Sequence, residues 1–127
     1  MRVKNENLLD DSGPLDLLVN QNLRPIWLGH IANYAIQLVF TGTPVGSFKL
    51  QASNDVGQIN SEGATTQVAG VTQWTDITDS ALSVTAAGDI MWTVENAGYT
   101  WVRVVWTATG GSSSPTLTSA RCYVKGI

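Results

Sequence analysis

Apolar and polar residues alternate with a period of two along much of this chain. Tyr34, Ile36, Leu38 and Phe40 alternate with Ala35, Gln37, Val39 and Thr41. After Gly42-Thr43-Pro44-Val45-Gly46, Phe48, Leu50 and Ala52 alternate with Ser47, Lys49, Gln51 and Ser53. Successive side chains of a strand leave opposite faces, so the pattern is that of half-buried antiparallel strands. The Gly- and Pro-containing interruption predicts one β-hairpin over residues 34–54, and the rest of the chain must supply the strands that cover it.

The same period continues downstream. Short strands are expected at 74–77 and 82–85, followed by a turn at Ala86-Ala87-Gly88-Asp89 and a strand in which Ile90, Trp92 and Val94 alternate with Met91, Thr93 and Glu95. Asn96-Ala97-Gly98 turns the chain again. Residues 99–108 are the most β-prone: Val102, Val104 and Trp106 share one side, and Trp101, Arg103 and Val105 the other. Bulky groups on both faces predict a central strand, or one lying against a subunit. Residues 109–115 read as a flexible turn, and 116–125 as a last strand with Ala120, Cys122 and Val124 on one side and Leu117, Arg121 and Tyr123 on the other. Short strands at this spacing predict an all-β fold: a single antiparallel β-sandwich or jelly-roll-like domain over residues 23–127.

Residues 1–22 break the pattern. Leu8, Leu9, Leu15, Leu17 and Leu18 are mixed with Glu6, Asp10, Asp11 and Asp16 around Ser12-Gly13-Pro14. Such a segment is too apolar for a free tail and too irregular for a clear strand. It reads as an N-terminal arm docked on its own domain or on a neighbour, with a first edge strand as the alternative. Residues 56–72, poor in charge and rich in Gly, Ser, Thr, Asn, Gln and Ala, read as a long loop and a variable contact surface. Between arm and hairpin, Pro25 marks a strand start or an edge, because it lacks a ladder donor. His30 stands among apolar neighbours and is expected to be structural.

Composition narrows the function classes. The chain has 127 residues, enough for one core, and only 13% are charged. A net charge of −3 with scattered basic residues argues against a nucleic-acid surface. Cys122 is the one cysteine, so no intramolecular disulfide forms. No apolar run has the length of a signal peptide or a membrane span, and the protein is expected to be soluble and made in the cytoplasm.

Catalytic and metal chemistry find little footing. One histidine without an acid partner does not make an acyl-transfer site, and carboxylate pairs among ten acids carry no specificity. Asp76, Asp79 and Asp89 are the acids considered for calcium, and solvated turn residues are the simpler reading. No enzyme activity, cofactor or metal is expected. Of the five tryptophans, Trp92 and Trp106 are expected in the core. Trp101 with Arg103 suits a subunit contact, since Trp and Arg are enriched in binding hot spots.

The string Tyr34-Ala35-Ile36-Gln37-Leu38-Val39-Phe40-Thr41-Gly42-Thr43-Pro44-Val45-Gly46-Ser47-Phe48-Lys49-Leu50-Gln51-Ala52-Ser53-Asn54-Asp55 is followed by Trp74-Thr75-Asp76-Ile77, Ala97-Gly98-Tyr99 and Val102-Arg103-Val104-Val105-Trp106-Thr107. In that order it resembles small β-sandwich structural proteins of tailed bacteriophages, over residues 31–126. The resemblance implies a virion location, no active site, and a capsid decoration or cement role. Its partners would be the major capsid protein or other virion subunits, and a homo-oligomer, a trimer favoured, would form. Leu8, Leu9, Leu15, Leu17, Leu18, Trp101 and Arg103 are the expected interface residues. The alternative is a tail or head-fibre module that recognises host surface glycans through residues 56–72 and an exposed tryptophan.

Overall fold

The computed structural model describes residues 3–9, 14–28, 33–54, 58–59, 65–67 and 73–125. The strands are β1 (Val3–Asn7), β2 (Leu15–Asp16), β3 (Gln21–Asn22), β4 (Ile26–Trp27), β5 (Asn33–Ser53), β6 (Gln58–Ile59), β7 (Thr65–Gln67), β8 (Thr75–Asp76), β9 (Leu82–Val84), β10 (Gly88–Val94) and β11 (Trp101–Lys125). The chain is the all-β antiparallel sandwich that the alternation predicts.

The predicted hairpin does not form. β5 runs unbroken for 21 residues and pairs along its whole length with β11, from Trp101 opposite Ser53 to Lys125 opposite Asn33. The two halves of β5 never pair with each other. Residues 109–115, expected as a turn between two strands, likewise lie within the single 25-residue strand β11. Each long strand bends at its Gly-rich middle, and the ladder folds over so that its two halves belong to opposing layers. In sheet I the order is β1, the C-terminal half of β11, the N-terminal half of β5, and β10. Sheet II places β3 and β4 beside the first half of β11, then the second half of β5, then β8 and β9. β2 pairs with β11 at Leu15 and Asp16, next to the bend.

The bend has a residue-level cause. Even-numbered side chains of β5 point inward on both sides of it, from Tyr34 and Ile36 through Phe48 and Leu50. At the crease the inward positions are Gly42, Pro44 and Gly46, and neither glycine has room for a side chain. A Cβ on Gly46 would lie 2.1 Å from the Thr107 carbonyl oxygen and 2.9 Å from the Trp106 ring. One on Gly42, whose φ is 76°, would lie 2.7 Å from Pro115 Cα. β11 takes the longer path, and its surplus residues are absorbed in register shifts at Ala108/Gly110, Ser112/Thr116 and Leu117/Ser119. Ser113 and Ser114 adopt left-handed φ values of 59° and 50° there.

The crease brings both layers onto one core. Phe40 of sheet I meets Phe48 of sheet II at 5.6 Å between ring centroids, and Phe48 meets Trp106 at 4.4 Å. Trp92 and Trp106 are buried, as expected. Each indole N–H is satisfied across the fold: Trp92 Nε1 donates to the Ser80 carbonyl at 2.8 Å, and Trp106 Nε1 to the Leu17 carbonyl at 2.9 Å. The Ser80 hydroxyl in turn donates to the Ile77 carbonyl at 2.7 Å and accepts from Leu50 N at 3.0 Å. At the far end Tyr34 and Tyr99 share a hydroxyl hydrogen bond, their rings meeting edge to face. Burial, aided by the Tyr99 contact, holds the Tyr34 phenol well above the usual tyrosine range. Burial also raises Tyr99.

Residues 3–9 and 14–22 enter this core. β1 is an edge strand of sheet I, the alternative weighed for that segment, and Leu8, Leu9 and Leu17 are core residues. The long loop expected at 56–72 contains the short β6–β7 ladder, and its remaining residues lie outside those described, as does His30.

Two outcomes check this packing. Gly46→Ala should cost about 3 kcal/mol or more in denaturant unfolding, or prevent folding, because backbone cannot yield to the new methyl group. Gly98→Ala, with open space around it, should stay within about 0.5 kcal/mol. For the tyrosine pair, raised folded-state pKa values mean stability that is full below the unfolded value of about 10 and falls as pH rises above it. Tyr34→Phe should therefore lose less stability than the parent between neutral and strongly alkaline pH, measured as urea midpoints across that range.

Candidate functional site

Register decides which side chains share a surface, because directly paired residues point to the same side of a sheet. On the outer face of sheet II, Trp101 lies between Trp27 on β4 and Ser53 on β5. The next outward row runs from Arg103 to Gln51 to Asp76, and the one after it from Asn22 to Val105 to Lys49. Trp74, directly before β8, completes the group. Five strands thus assemble one aromatic and polar face.

The face is tied together rather than loosely solvated. Arg103 Nε and Nη2 donate to Gln51 Oε1 at 2.9 and 2.7 Å, and the guanidinium sits 4.3 Å above the Trp74 ring centre. That combination of fork and stacked cation is one a lysine does not reproduce. Gln51 Nε2 donates onward to Asp76 Oδ1 at 2.8 Å, and Lys49 Nζ contacts Asp76 Oδ2 at 3.1 Å. Those hydrogen bonds, from Gln51 first and Lys49 second, hold the Asp76 carboxyl below the usual aspartate range. Partial burial pulls the Arg103 pKa down from its ordinary value, and an arginine so placed stays charged. Trp101 lies beneath, only 3% exposed, and its Nε1 has no hydrogen-bond partner among the described residues. Trp27 is 36% exposed. At the end of the same strands a groove of about 370 Å³ is lined by Ala52, Ser53, Asn54, Gln73, Thr75 and Tyr99.

The expected interface residues separate into two groups. Trp101 and Arg103 do share one face. Leu8, Leu9 and Leu17, expected at a subunit contact, are instead buried in this chain's own core, because β1 and β2 lay them against β11. Leu15 is half-buried and Leu18 is 49% exposed, both beside the crease at Pro115. Of the acids considered for calcium, Asp76 is on sheet II and Asp89 on sheet I. Among the described residues no three His, Cys, Asp or Glu side chains are grouped to hold a metal. Gln51 and Lys49 were not singled out from sequence. Their signal is the polar, odd-numbered parity of β5, which faces outward opposite Arg103 and Val105.

No protein-family model matches the chain, and no curated protein matches it in sequence. Its fold is similar to part of tripeptidyl peptidase 2, at TM-score 0.52 and 10% identity over 99% of this chain. The chain spans only 10% of that protein's length. It is also similar to chitosan-binding module 1 of a chitosanase/glucanase from Paenibacillus sp. IK-5, in a mutant form, at TM-score 0.50 and 15% identity, covering 96% of this chain and 92% of that one. The SPBc2 prophage-derived protein YomS aligns at TM-score 0.48 and 12% identity, covering 98% and 96% of the two chains. The likeness to the chitosan-binding module carries the fold alone and leaves function to the residues.

The hydrogen-bonded cluster makes a sharp expectation. In a carboxyl-carbon NMR titration, Asp76 should titrate below an ordinary aspartate, and Gln51→Ala should move its midpoint upward, because the amide that donates to the carboxylate is gone.

Proposed function

We propose that this chain is a non-catalytic structural protein of a bacteriophage particle, a decoration or cement protein that docks on the head shell. The observation that carries the reading is the outer face of sheet II, where Trp74 and Arg103 are fixed by stacking and a forked hydrogen bond before any partner arrives. Side chains already held in place lose little freedom on docking, so more of their contact energy appears as affinity. Trp and Arg are also the residues that most often dominate protein interfaces. The resemblance of residues 31–126 to phage virion proteins points to the same use. The partner is the major capsid protein or another virion subunit, and the chain is made in the host cytoplasm before joining the virion.

Leu8, Leu9 and Leu17 are buried in this chain's own core and offer no outward docking surface. The contact falls to the sheet II face instead. The test is co-sedimentation with phage heads lacking this protein, together with the temperature at which those heads open. Trp74→Ala combined with Arg103→Ala should weaken binding at least about tenfold, as loss of more than 1.4 kcal/mol at a hot spot would, and remove the heat protection. Tyr123→Ala, exposed on sheet I, should leave both unchanged. Full head binding by the double variant would overturn the proposal. So would binding to host surface glycans, but not heads, that the double variant abolishes, and this outcome would assign the face to sugar recognition.

A further inference from the structure

The four lateral edges of the sandwich are not alike. On one side of sheet II the edge is cut into β3 and β4, two residues each, separated by residues 23–25 with Pro25 among them. On its other side the edge is cut into β8 and β9, separated by residues 77–81, where Asp79 has a φ of 64°. In sheet I, β1 carries Lys4 and Glu6 within its five residues. Breaks, prolines and edge charges of this kind block strand addition from outside.

β10 is less guarded: it is unbroken, has no proline, and carries a single charge, Asp89, next to its N-terminal end. It is seven residues long and pairs with β5 from Gly88 opposite Phe40 to Val94 opposite Tyr34 without a register shift. Among the described residues nothing pairs with its other side. Ile90-Met91-Trp92-Thr93-Val94 is an uncharged, β-prone run between Asp89 and Glu95, and Met91 is 55% exposed. A regular edge with an uncharged run of five residues is a template for another strand.

We propose that β10 pairs antiparallel with β10 of a second copy of this chain, about a two-fold axis at Met91, joining the two copies of sheet I into one continuous sheet. In this register Met91 faces itself, Ile90 faces Trp92 of the second copy, and Asp89 faces Thr93. Core-side residues therefore meet core-side residues, and outward residues meet outward ones. Strand length favours the register, since Met91 is the midpoint of β10 and this centre alone pairs all seven of its residues, and charge disfavours two of the alternatives. Centring the pair on Trp92 would set Asp89 against Glu95 of the second copy, and centring it on Asp89 would set that acid against itself; like charges directly opposite are unfavourable. A second copy is favoured over a different strand of this fold because only another β10 presents the same uncharged run in matching parity. The contact lies on sheet I, so it stands or falls independently of the docking face on sheet II, and it gives a two-fold dimer rather than the trimer expected from sequence.

Sedimentation velocity of the isolated full chain, from micromolar to millimolar concentration, should show a monomer–dimer equilibrium. Met91→Lys, at an exposed position, should keep the parent circular dichroism and melting temperature and sediment as a monomer throughout. Under mild oxidation Met91→Cys should form a covalent dimer rapidly, since directly opposed antiparallel residues lie about 4.5–5.5 Å apart at Cα, within disulfide reach. Thr93→Cys, facing Asp89 of the second copy, should cross-link far more slowly. A parent chain that is monomeric across the range, a dimer that persists in Met91→Lys, or Thr93→Cys cross-linking as fast as Met91→Cys would each overturn the proposal.

Discussion

Pairing between β5 and β11 is the constraint from which the rest of the molecule follows. Two strands of more than twenty residues remain hydrogen-bonded to each other while bending together, so one ladder contributes the two central strands of both layers. The crease that permits this is a matter of excluded volume. Gly42 and Gly46 are inward positions at which a methyl group would overlap the backbone of β11, and the bulges of β11 take up the difference in path length. Once the ladder folds, Phe40, Phe48 and Trp106 are brought into contact, and the remaining strands cover edges that already exist.

The N-terminal segment and the short connecting turns complete that core. Leu17 supplies both an apolar side chain and the carbonyl that satisfies Trp106, while Ser80 supplies the carbonyl that satisfies Trp92. Burying two indoles without those acceptors would cost about 1–3 kcal/mol each. Local segments that look like decoration of the sandwich thus satisfy its buried polar groups, which explains why residues 14–22 are built into the fold.

Alternation made the strands and their inward faces legible. Tyr34, Ile36, Leu38, Phe40, Phe48, Leu50, Val102, Val104 and Trp106 all point where their parity places them. Connectivity was not legible from one segment alone. Gly42-Thr43-Pro44-Val45-Gly46 has the composition of a hairpin loop, but it lies opposite a second breaker-rich stretch, Gly110 to Pro115, in a paired strand. Two such stretches facing each other bend a ladder, whereas either by itself suggests a turn. The leucines of residues 1–22 were legible as apolar but not as core, because β1 and β2 find their partners a hundred residues away or more in sequence. Trp101 and Arg103 were recognisable as unusual on an outward parity. Their neighbours Gln51, Trp74 and Asp76 come from strand register, which no local pattern encodes.

Both proposals rest on surfaces that the folded ladder holds in place: a clamped Trp–Arg face on one layer and a continuous strand edge on the other. Both depend on the pairing of β5 with β11 along its whole length. The direct test is cross-strand backbone NMR contacts in the isolated chain. The account predicts ladder contacts of Leu38 with Ala120 and of Leu50 with Val104, and none between the backbones of residues 38–41 and 47–50. Ladder contacts between those last two stretches, such as Thr41 with Ser47, would show a closed hairpin and contradict it.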